Sequence, residues 1–140
     1  MFSDSQSDRV IELARVTSSD IVCDLGFGDA QFLLHVAAST GCRCIGCEVN
    51  GDLVAQAAAK VVAAGEVGSR VALSQALIAS YVETAAFREA TIIFLHLVPS
   101  MIADLEPVLR LALERPALTL ALTLTLTRCC ASPSSDQPLL

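Results

Sequence analysis

Short apolar runs alternate along the chain with longer segments in which apolar residues recur at helical spacing. The runs are short and bounded by polar residues or glycines, so they predict strands at residues 20–25, 43–49, 70–75 and 91–97. The segments between and around them predict helices at residues 8–16, 30–39, 51–65, 79–87 and 99–114. We expect Ser7 or Asp8 to cap the first helix, Asn50 to begin the third, and Pro99 to occupy the first turn of the last.

This alternation predicts the fold class. Strands that alternate with helices of ten to fifteen residues indicate right-handed crossover units and a parallel sheet. The strands are apolar throughout instead of alternating with polar residues, which is typical of a sheet covered by helices on both faces. The sequence therefore predicts an α/β protein with a Rossmann-like open parallel sheet.

The end of the chain has a different pattern. Residues 116–127 alternate leucine with, mostly, threonine, which predicts either a fifth strand or a low-complexity segment. Residues 128–140 have the composition of a disordered tail. We therefore expect one domain at residues 1–115, with a sheet that is truncated after the fourth or fifth strand.

Composition and charge restrict the classes of partner. The net charge is −6 at pH 7, and Lys60 is the only lysine among the 140 residues. Nucleic-acid binding depends on clustered cations, which the sequence lacks, so we expect no nucleic-acid partner. The apolar runs are shorter than the roughly 20 residues of a membrane span, and the acidic N-terminus resembles no targeting signal. We expect an intracellular protein, cytoplasmic by default.

Three of the six cysteines, Cys42, Cys44 and Cys47, lie close together around the second predicted strand. Side chains alternate along a strand, so Cys42 and Cys44 should face one side of the sheet and Cys47 the other. Thiols on opposite faces cannot converge on one tetrahedral metal ion. We expect buried cysteines and no metal site.

A glycine turn, "DLGFGDA" at residues 24–30, follows the first strand directly. Ligands of open α/β sheets bind at the carboxyl ends of the strands, so this turn is the candidate binding site. A dinucleotide fingerprint would place a third glycine where Gln31 stands, and Asp24 would repel a pyrophosphate; the phosphate-binding P-loop pattern is absent as well. The alternative is that Gly26 and Gly28 serve packing alone.

The turn also resembles motif I of the class I S-adenosylmethionine-dependent methyltransferases, and the following "CIGCEVNGDLV" resembles their acidic second-strand end. The segments "RVIELARV", "AAAKVVAAGEVGSRVAL" and "FREATIIFLHLVPSMIADLEPVLRLAL" follow one subgroup in the same order. That subgroup resembles the protein-lysine methyltransferases of the ATP synthase c-subunit. The resemblance covers about residues 8–113.

The resemblance implies a cofactor, S-adenosylmethionine, and the residues that bind it. Asp24 would contact the methionyl amino group, Gly26 and Gly28 would let the backbone pass against the cofactor, and Glu48 would accept hydrogen bonds from both ribose hydroxyls. Leu25 lies within the same motif, and Asn50 would lie beside the adenine. The implied substrate is a protein lysine, the subgroup also allows a mitochondrial location, and we assign no catalytic residue.

Some positions depart from the family pattern. Ala30 replaces the third glycine, and Ala76 and Leu77 stand where an aspartate usually reads the adenine amino group. His96 replaces a tyrosine; it either lines the acceptor site or is a buried structural histidine. We expect His35 to be structural or on the surface.

The family fold has seven strands, the last two forming a hairpin at the edge of the sheet. A sheet of four or five strands would leave an edge open to self-association. The leucine–threonine segment does not resemble the family's fifth strand, so an altered reading frame or a splice form is one explanation for it. Two other functions stay open: an inactive cofactor-binding or scaffold domain, and a nucleotide-dependent oxidoreductase.

Overall fold

The computed structural model describes residues 3–112, 114–115 and 119–124. Its five parallel strands lie in the order β3-β2-β1-β4-β5, which confirms the predicted Rossmann-like parallel sheet. The strands are β1 Ile21–Leu25, β2 Arg43–Glu48, β3 Val71–Gln75, β4 Ile92–Leu97 and β5 Thr119–Leu124. The helices are α1 Asp4–Ala14, α2 Gln31–Thr40, α3 Gly51–Ala63, α4 Ile78–Tyr81, α5 Ala85–Arg88, α6 Pro99–Asp104 and α7 Glu106–Ala112, with a short 3-10 turn at Gly68–Arg70.

The strand order reverses direction between β1 and β4, which places a topological switch point there. Strand β1 pairs with β2 on one side and with β4 on the other, so Asp24 lies between Gly46 and Phe94. Crevices at such points, beyond the carboxyl ends of the strands, are where α/β sheets bind ligands. The topology therefore directs the search for a site to the end of β1.

Two apolar layers cover the faces of the sheet. On one face, residues of α1, α2 and α3 pack with Val22 and Phe94, and the Phe32 ring stacks on the Phe94 ring at 4.0 Å. On the other face, Tyr81, Phe87 and Leu109 pack against the opposite side chains of the strands. Cys42 and Cys44 are buried in the first layer and Cys47 in the second, so the prediction that they face opposite sides is confirmed.

The first helix begins earlier than the sequence predicts. Ser3, not Ser7 or Asp8, is its cap: the Ser3 hydroxyl accepts from the Gln6 N–H, and the Gln6 side chain accepts from the Ser3 N–H. This reciprocal pair satisfies two helix-end donors at once. Ser7 is buried inside the helix and donates its hydroxyl to the Ser3 carbonyl, so the prediction of Ser7 or Asp8 as the cap is wrong.

Two predicted helices are each divided in the structure. Residues 79–87 contain a break at Thr84, whose hydroxyl accepts from the Phe87 N–H and so begins α5. Residues 99–114 contain a break at Leu105, followed by Pro107 in the first turn of α7, where its missing N–H costs nothing. Both divisions leave short helices beside the carboxyl ends of β3 and β4.

A fifth strand is present at residues 119–124, parallel to β4, within the segment for which a strand was one alternative. The predicted tail at residues 128–140 lies outside the described residues. Within the described ranges, none of the helices has the length and apolar character that crossing a membrane requires.

Candidate functional site

The glycine turn leaves β1 in a left-handed backbone conformation. Gly26 has φ 87° and Gly28 has φ 63°, a region that glycine enters without steric cost. A Cβ on Gly26 would also lie 3.1 Å from Leu97 Cδ2, which is tighter than ordinary contact. The backbone N–H groups of Gly26 and Phe27 both donate to the Cys47 carbonyl, at 2.8 and 3.1 Å. The turn therefore needs its glycines, and it is attached to the end of β2.

Glu48, the last residue of β2, makes the second attachment. The Gly28 N–H donates to Glu48 Oε1 at 2.9 Å, and the Asn50 N–H donates to Glu48 Oε2 at 3.0 Å. Each carboxylate oxygen can accept more than one hydrogen bond. Both oxygens therefore keep capacity for a ligand hydroxyl while they hold the loops.

Asp24 is a buried carboxyl group at the centre of the site. It is only 4% exposed, and no hydrogen-bond donor among the described residues reaches its Oδ1. Burial, together with the nearby charge of Glu48, raises the pKa of Asp24 to about 8. A buried polar atom without a partner is costly, so its presence indicates a position that a ligand completes.

Two cavities meet at Gly26. The first has a volume of about 370 Å³ and is mostly apolar; its walls include Gly26, Glu48, Ala76, Leu77, Leu97 and Met101. The second has a volume of about 450 Å³ and is more polar; its walls include Asp24, Gly26, Gly28, Asp29, Phe94 and His96. Together they form a cleft across the ends of β1, β2, β3 and β4, with Asp24 in one half and Glu48 in the other.

Asp29, which lines the second cavity, is paired with a lysine of a neighbouring helix. Lys60 Nζ of α3 lies 2.6 Å from Asp29 Oδ2. Partial burial pushes the pKa of Asp29 upward, but the bond from Lys60 and the N–H of Gln31 outweigh it, so the pKa lies below its ordinary value. The cleft therefore presents carboxylates and apolar walls, which suit a ligand with hydroxyls and a positive charge better than a phosphate.

Some of the predicted site residues line the cleft and others do not. Asp24, Gly26 and Gly28 line the second cavity, and Glu48 lines the first. Asn50 uses its side-chain oxygen to cap α3, accepting from the Asp52 and Leu53 N–H groups, and it does not line either cavity. Leu25 is fully buried in the core.

Other positions singled out in the sequence also have definite places. Ala30 precedes α2, instead of beginning it as predicted, and has a left-handed φ of 67°. Ala76 and Leu77 form an apolar wall of the first cavity. His35 lies outside the cleft walls, where its Nε2 is 2.7 Å from Asp8 Oδ1.

Leu97, Met101 and Asp104 also line the first cavity, although no sequence pattern marked them as site residues. They lie at the end of β4 and in α6. Because the carboxyl ends of parallel strands share one edge, the position of residue 97 directly after a predicted strand was the available signal. No group of three potential metal ligands occurs in the described ranges.

Comparisons with known proteins agree with this geometry. The chain is similar to an RNA methyltransferase from Salinibacter ruber, solved with S-adenosyl-L-homocysteine, with 34% identity and a TM-score of 0.68. That match covers 76% of this chain and 67% of the other. A methyltransferase from Thiobacillus denitrificans, also solved with S-adenosyl-L-homocysteine, has the same fold at 18% identity and a TM-score of 0.69, over 86% of this chain and 48% of the other.

A curated relative from Dictyostelium discoideum, a histone-lysine N-methyltransferase specific for H3 lysine-79, is 42% identical over 43 residues. This segment is 31% of the present chain and 2% of the relative. No protein-family model matches the sequence. At 34% identity over 76% of this chain and 67% of the other, the similarity to the Salinibacter structure establishes the family. The chain belongs to the class I S-adenosylmethionine-dependent methyltransferases.

Proposed function

We propose that the chain binds S-adenosylmethionine in the cleft and transfers its methyl group to an amine of a protein, a lysine side chain. The observation that supports this most directly is the buried Asp24 carboxyl, whose Oδ1 has no partner among the described residues. In that buried position the charged form of the carboxyl group is stabilised by a cation, and the methionyl ammonium group would supply one.

The rest of the cleft fits the same cofactor. The apolar walls at Ala76, Leu77 and Met101 suit the faces of an adenine ring, and Glu48 can accept hydrogen bonds from the two hydroxyls of a ribose. The left-handed turn at Gly26 and Gly28 lets a ligand approach the backbone closely. The cofactor carries no phosphate, which agrees with a cleft whose cation is paired with Asp29.

The protein's contribution to the reaction is positioning. When bound, the cofactor supplies a methyl group on a positively charged sulfur. A nucleophile would attack the methyl carbon in line with the carbon–sulfur bond, and the sulfur would leave. Asp24 and Glu48 would fix the methionyl and ribose parts of the cofactor, and the apolar walls would exclude water from between the reactants. Holding two reactants in a reactive geometry lowers the barrier without a residue that forms a covalent bond.

A protein lysine as the acceptor has three supports. The ordered motifs resemble protein-lysine methyltransferases, the curated relative is a histone-lysine methyltransferase, and a net charge of −6 favours a cationic substrate. The Salinibacter relative is named an RNA methyltransferase, so similarity does not exclude an RNA acceptor. A methyl-transfer experiment that offers both protein and RNA therefore has to identify the acceptor.

The alternatives differ in what the cleft would bind. An oxidoreductase would place a dinucleotide pyrophosphate near the glycine turn, where the buried Asp24 would oppose it. An inactive binding domain would take the same cofactor as the enzyme but would transfer nothing. Measuring which cofactor binds therefore distinguishes the proposal from an oxidoreductase. Measuring methyl transfer distinguishes it from an inactive binding domain.

Isothermal titration with S-adenosylmethionine, S-adenosylhomocysteine and NAD tests the proposal. We expect S-adenosylmethionine and S-adenosylhomocysteine to bind the wild-type chain. The substitution Asp24→Asn should weaken the binding of both at least tenfold. The matched control is Asp52→Asn, which changes an exposed aspartate in the first turn of α3. Tight NAD binding without binding of the sulfur compounds would refute the proposal.

Transfer of labelled methyl groups identifies the acceptor. The chain is incubated with labelled cofactor and either protein or RNA, and the products are hydrolysed. Labelled methyl-lysine supports the proposal. Label in nucleotides would replace the lysine with RNA, and cofactor binding with no transfer to either would favour the inactive domain.

A further inference from the structure

The walls of the second cavity include two titratable side chains, Asp29 and His96, to which the proposed cofactor contacts assign no role. Asp29 is paired with Lys60, and His96 lies near the carboxyl end of β4. Strand β4 pairs with β1 so that Phe94 lies opposite Asp24. Because side chains alternate, His96 projects from the same face as Phe94, two residues nearer the carboxyl end of the strand. It therefore belongs to the wall that faces the turn between Gly26 and Gly28.

Aromatic packing fixes the orientation of this imidazole. The His96 and Phe94 rings are nearly parallel, with centroids 6.4 Å apart and an interplanar angle of 13°. Phe94 stacks in turn on Phe32 of α2, with centroids 4.0 Å apart. The three rings form a continuous stack from α2 to the cavity, so His96 is a supported side chain and not a mobile surface group.

We infer that His96 lies beside the reacting methyl group and accepts a hydrogen bond from the N–H of the methyl acceptor. This inference rests on the proposed function. The cofactor's charged and hydroxyl groups have partners in Asp24 and Glu48, which leaves the end of β4 for the second reactant. His96 is thus assigned to the acceptor and not to the cofactor.

The charge state of His96 suits that role. Burial lowers its pKa below the ordinary value, so the ring is neutral at physiological pH and one nitrogen can accept a hydrogen bond. The acidic side chains that line the same cavity are Asp24, whose pKa is raised to about 8, and Asp29, which is paired with Lys60.

The proposed methyl transfer conserves atoms, electrons and charge. The lone pair of a neutral acceptor amine forms the new N–C bond as the S–C bond breaks. The electrons of that bond remain on sulfur, which becomes the neutral thioether of S-adenosylhomocysteine. The product amine carries one surplus proton and keeps it, because an alkylamine holds a proton far more strongly than an imidazole does. The proton that the acceptor gives up to become neutral before the attack passes to water. No oxidant or further reactant is required.

Histidine NMR tests the assignment, since the chain has two histidines, His35 and His96. Protein labelled with ¹³C-histidine is titrated with acid and base when free, when saturated with S-adenosylhomocysteine, and when saturated with S-adenosylmethionine. The variant His35→Gln assigns the signals. The two ligands differ by one methyl group and one positive charge at sulfur, so the comparison measures proximity to the reacting centre.

A unit charge about 6 Å away, even at the dielectric constant of water, lowers the pKa of an imidazole by about 0.5. We therefore expect the pKa of His96 to be lower by about 0.5 or more with S-adenosylmethionine than with S-adenosylhomocysteine. The change at His35, which contacts Asp8, should be much smaller. Equal values for His96 in the two complexes would overturn the inference while leaving the proposed function intact.

A matched variant separates the acceptor role from a structural one. In His96→Gln a hydrogen-bond acceptor remains but no longer titrates, so affinity for S-adenosylhomocysteine should stay within twofold. With the cofactor at saturation, methyl transfer should lose the part of its acidic limb that follows the pKa of His96 measured by NMR, whereas the part set by deprotonation of the acceptor amine should remain in both proteins. A tenfold loss of affinity, or an unchanged acidic limb, would overturn the assignment. If neither ligand binds the wild-type chain, the proposed function and this inference both fail.

Discussion

The Glu48 carboxylate and the Gly28 N–H are joined by a hydrogen bond of 2.9 Å, although twenty residues separate them. The same carboxylate also accepts from the Asn50 N–H through its other oxygen. One side chain therefore holds together the loops that follow β1 and β2. Any ligand that bonds to Glu48 meets a group already oriented by the backbone, which reduces the entropy lost on binding.

Replacing Glu48 should weaken the binding of S-adenosylhomocysteine. Glu48→Ala removes the proposed charge-assisted hydrogen bonds to the ribose and the observed support of the glycine turn, and we expect a loss of about 1.5–3 kcal/mol. Isothermal titration measures this loss directly. Glu66→Ala, at an exposed position after α3, is the control and should bind normally. Equal affinity in the two variants would remove Glu48 from the site.

The contribution of Asp24 to the stability of the ligand-free protein should fall as the pH rises from about 4 to about 8. The folded-state pKa of Asp24 is raised to about 8, so over this interval the folded state holds one proton more than the unfolded state. The slope from this group is at most about 1.4 kcal/mol per pH unit. Urea unfolding of the wild type and of Asp24→Asn at several pH values isolates the contribution of Asp24. The contributions of other groups cancel when the two free energies of unfolding are subtracted. Parallel curves would contradict a raised pKa.

Ligand binding should release a proton through the same residue. At pH 6.5 the free protein holds Asp24 protonated, whereas a bound ammonium group stabilises the carboxylate. Titrations of S-adenosylhomocysteine in buffers of different ionisation enthalpy should show release of close to one proton by wild type and none by Asp24→Asn. Affinity should therefore rise with pH up to about 8. Release of the same number of protons by both proteins would place the linkage elsewhere.

Two buried alanines should respond differently to glycine. Ala30 has a left-handed φ of 67°, whereas Ala37 lies in α2, and both are fully buried. Relief of left-handed strain, about 1–2 kcal/mol, offsets the lost methyl group and the added chain entropy at Ala30. Ala30→Gly should thus change the free energy of unfolding by less than about 1 kcal/mol.

Ala37→Gly gains no such relief and should cost about 1.5–2 kcal/mol, the sum of helix propensity and lost burial. Urea denaturation of the two variants and wild type gives the comparison. A greater loss at Ala30 than at Ala37 would show that the Ala30 methyl group contributes more packing than its backbone strain costs.

The sequence predicted the sheet because its strands are apolar runs whose length and boundaries are local properties. The predicted helix boundaries were wrong where several local signals compete. Ser3, Ser7 and Asp8 are all suitable caps, and only the reciprocal bonds with Gln6 select Ser3. Pro107, inside the expected last helix, was a usable sign of the division at Leu105.

The site was predictable in part for a related reason. Asp24, Gly26, Gly28 and Glu48 belong to short patterns directly after strands, which the sequence reveals. The burial of Asp24 and the bond from Gly28 to Glu48 depend on pairing between strands that are distant in sequence. The contribution of α6 to the first cavity depends on how the chain turns after β4. Local patterns identify residue types, whereas the packed structure determines which of them meet.

The ion pair between Lys60 and Asp29 has a practical consequence for enzymology. Lys60 is the only lysine in the 140 residues, and its Nζ bonds to Asp29 Oδ2 at 2.6 Å, so a methyl donor has to compete with that carboxylate for the amine. Self-methylation of lysine should accordingly contribute almost nothing to a radiolabel assay. Label recovered as methyl-lysine can then be attributed to the added protein without separating it from the enzyme.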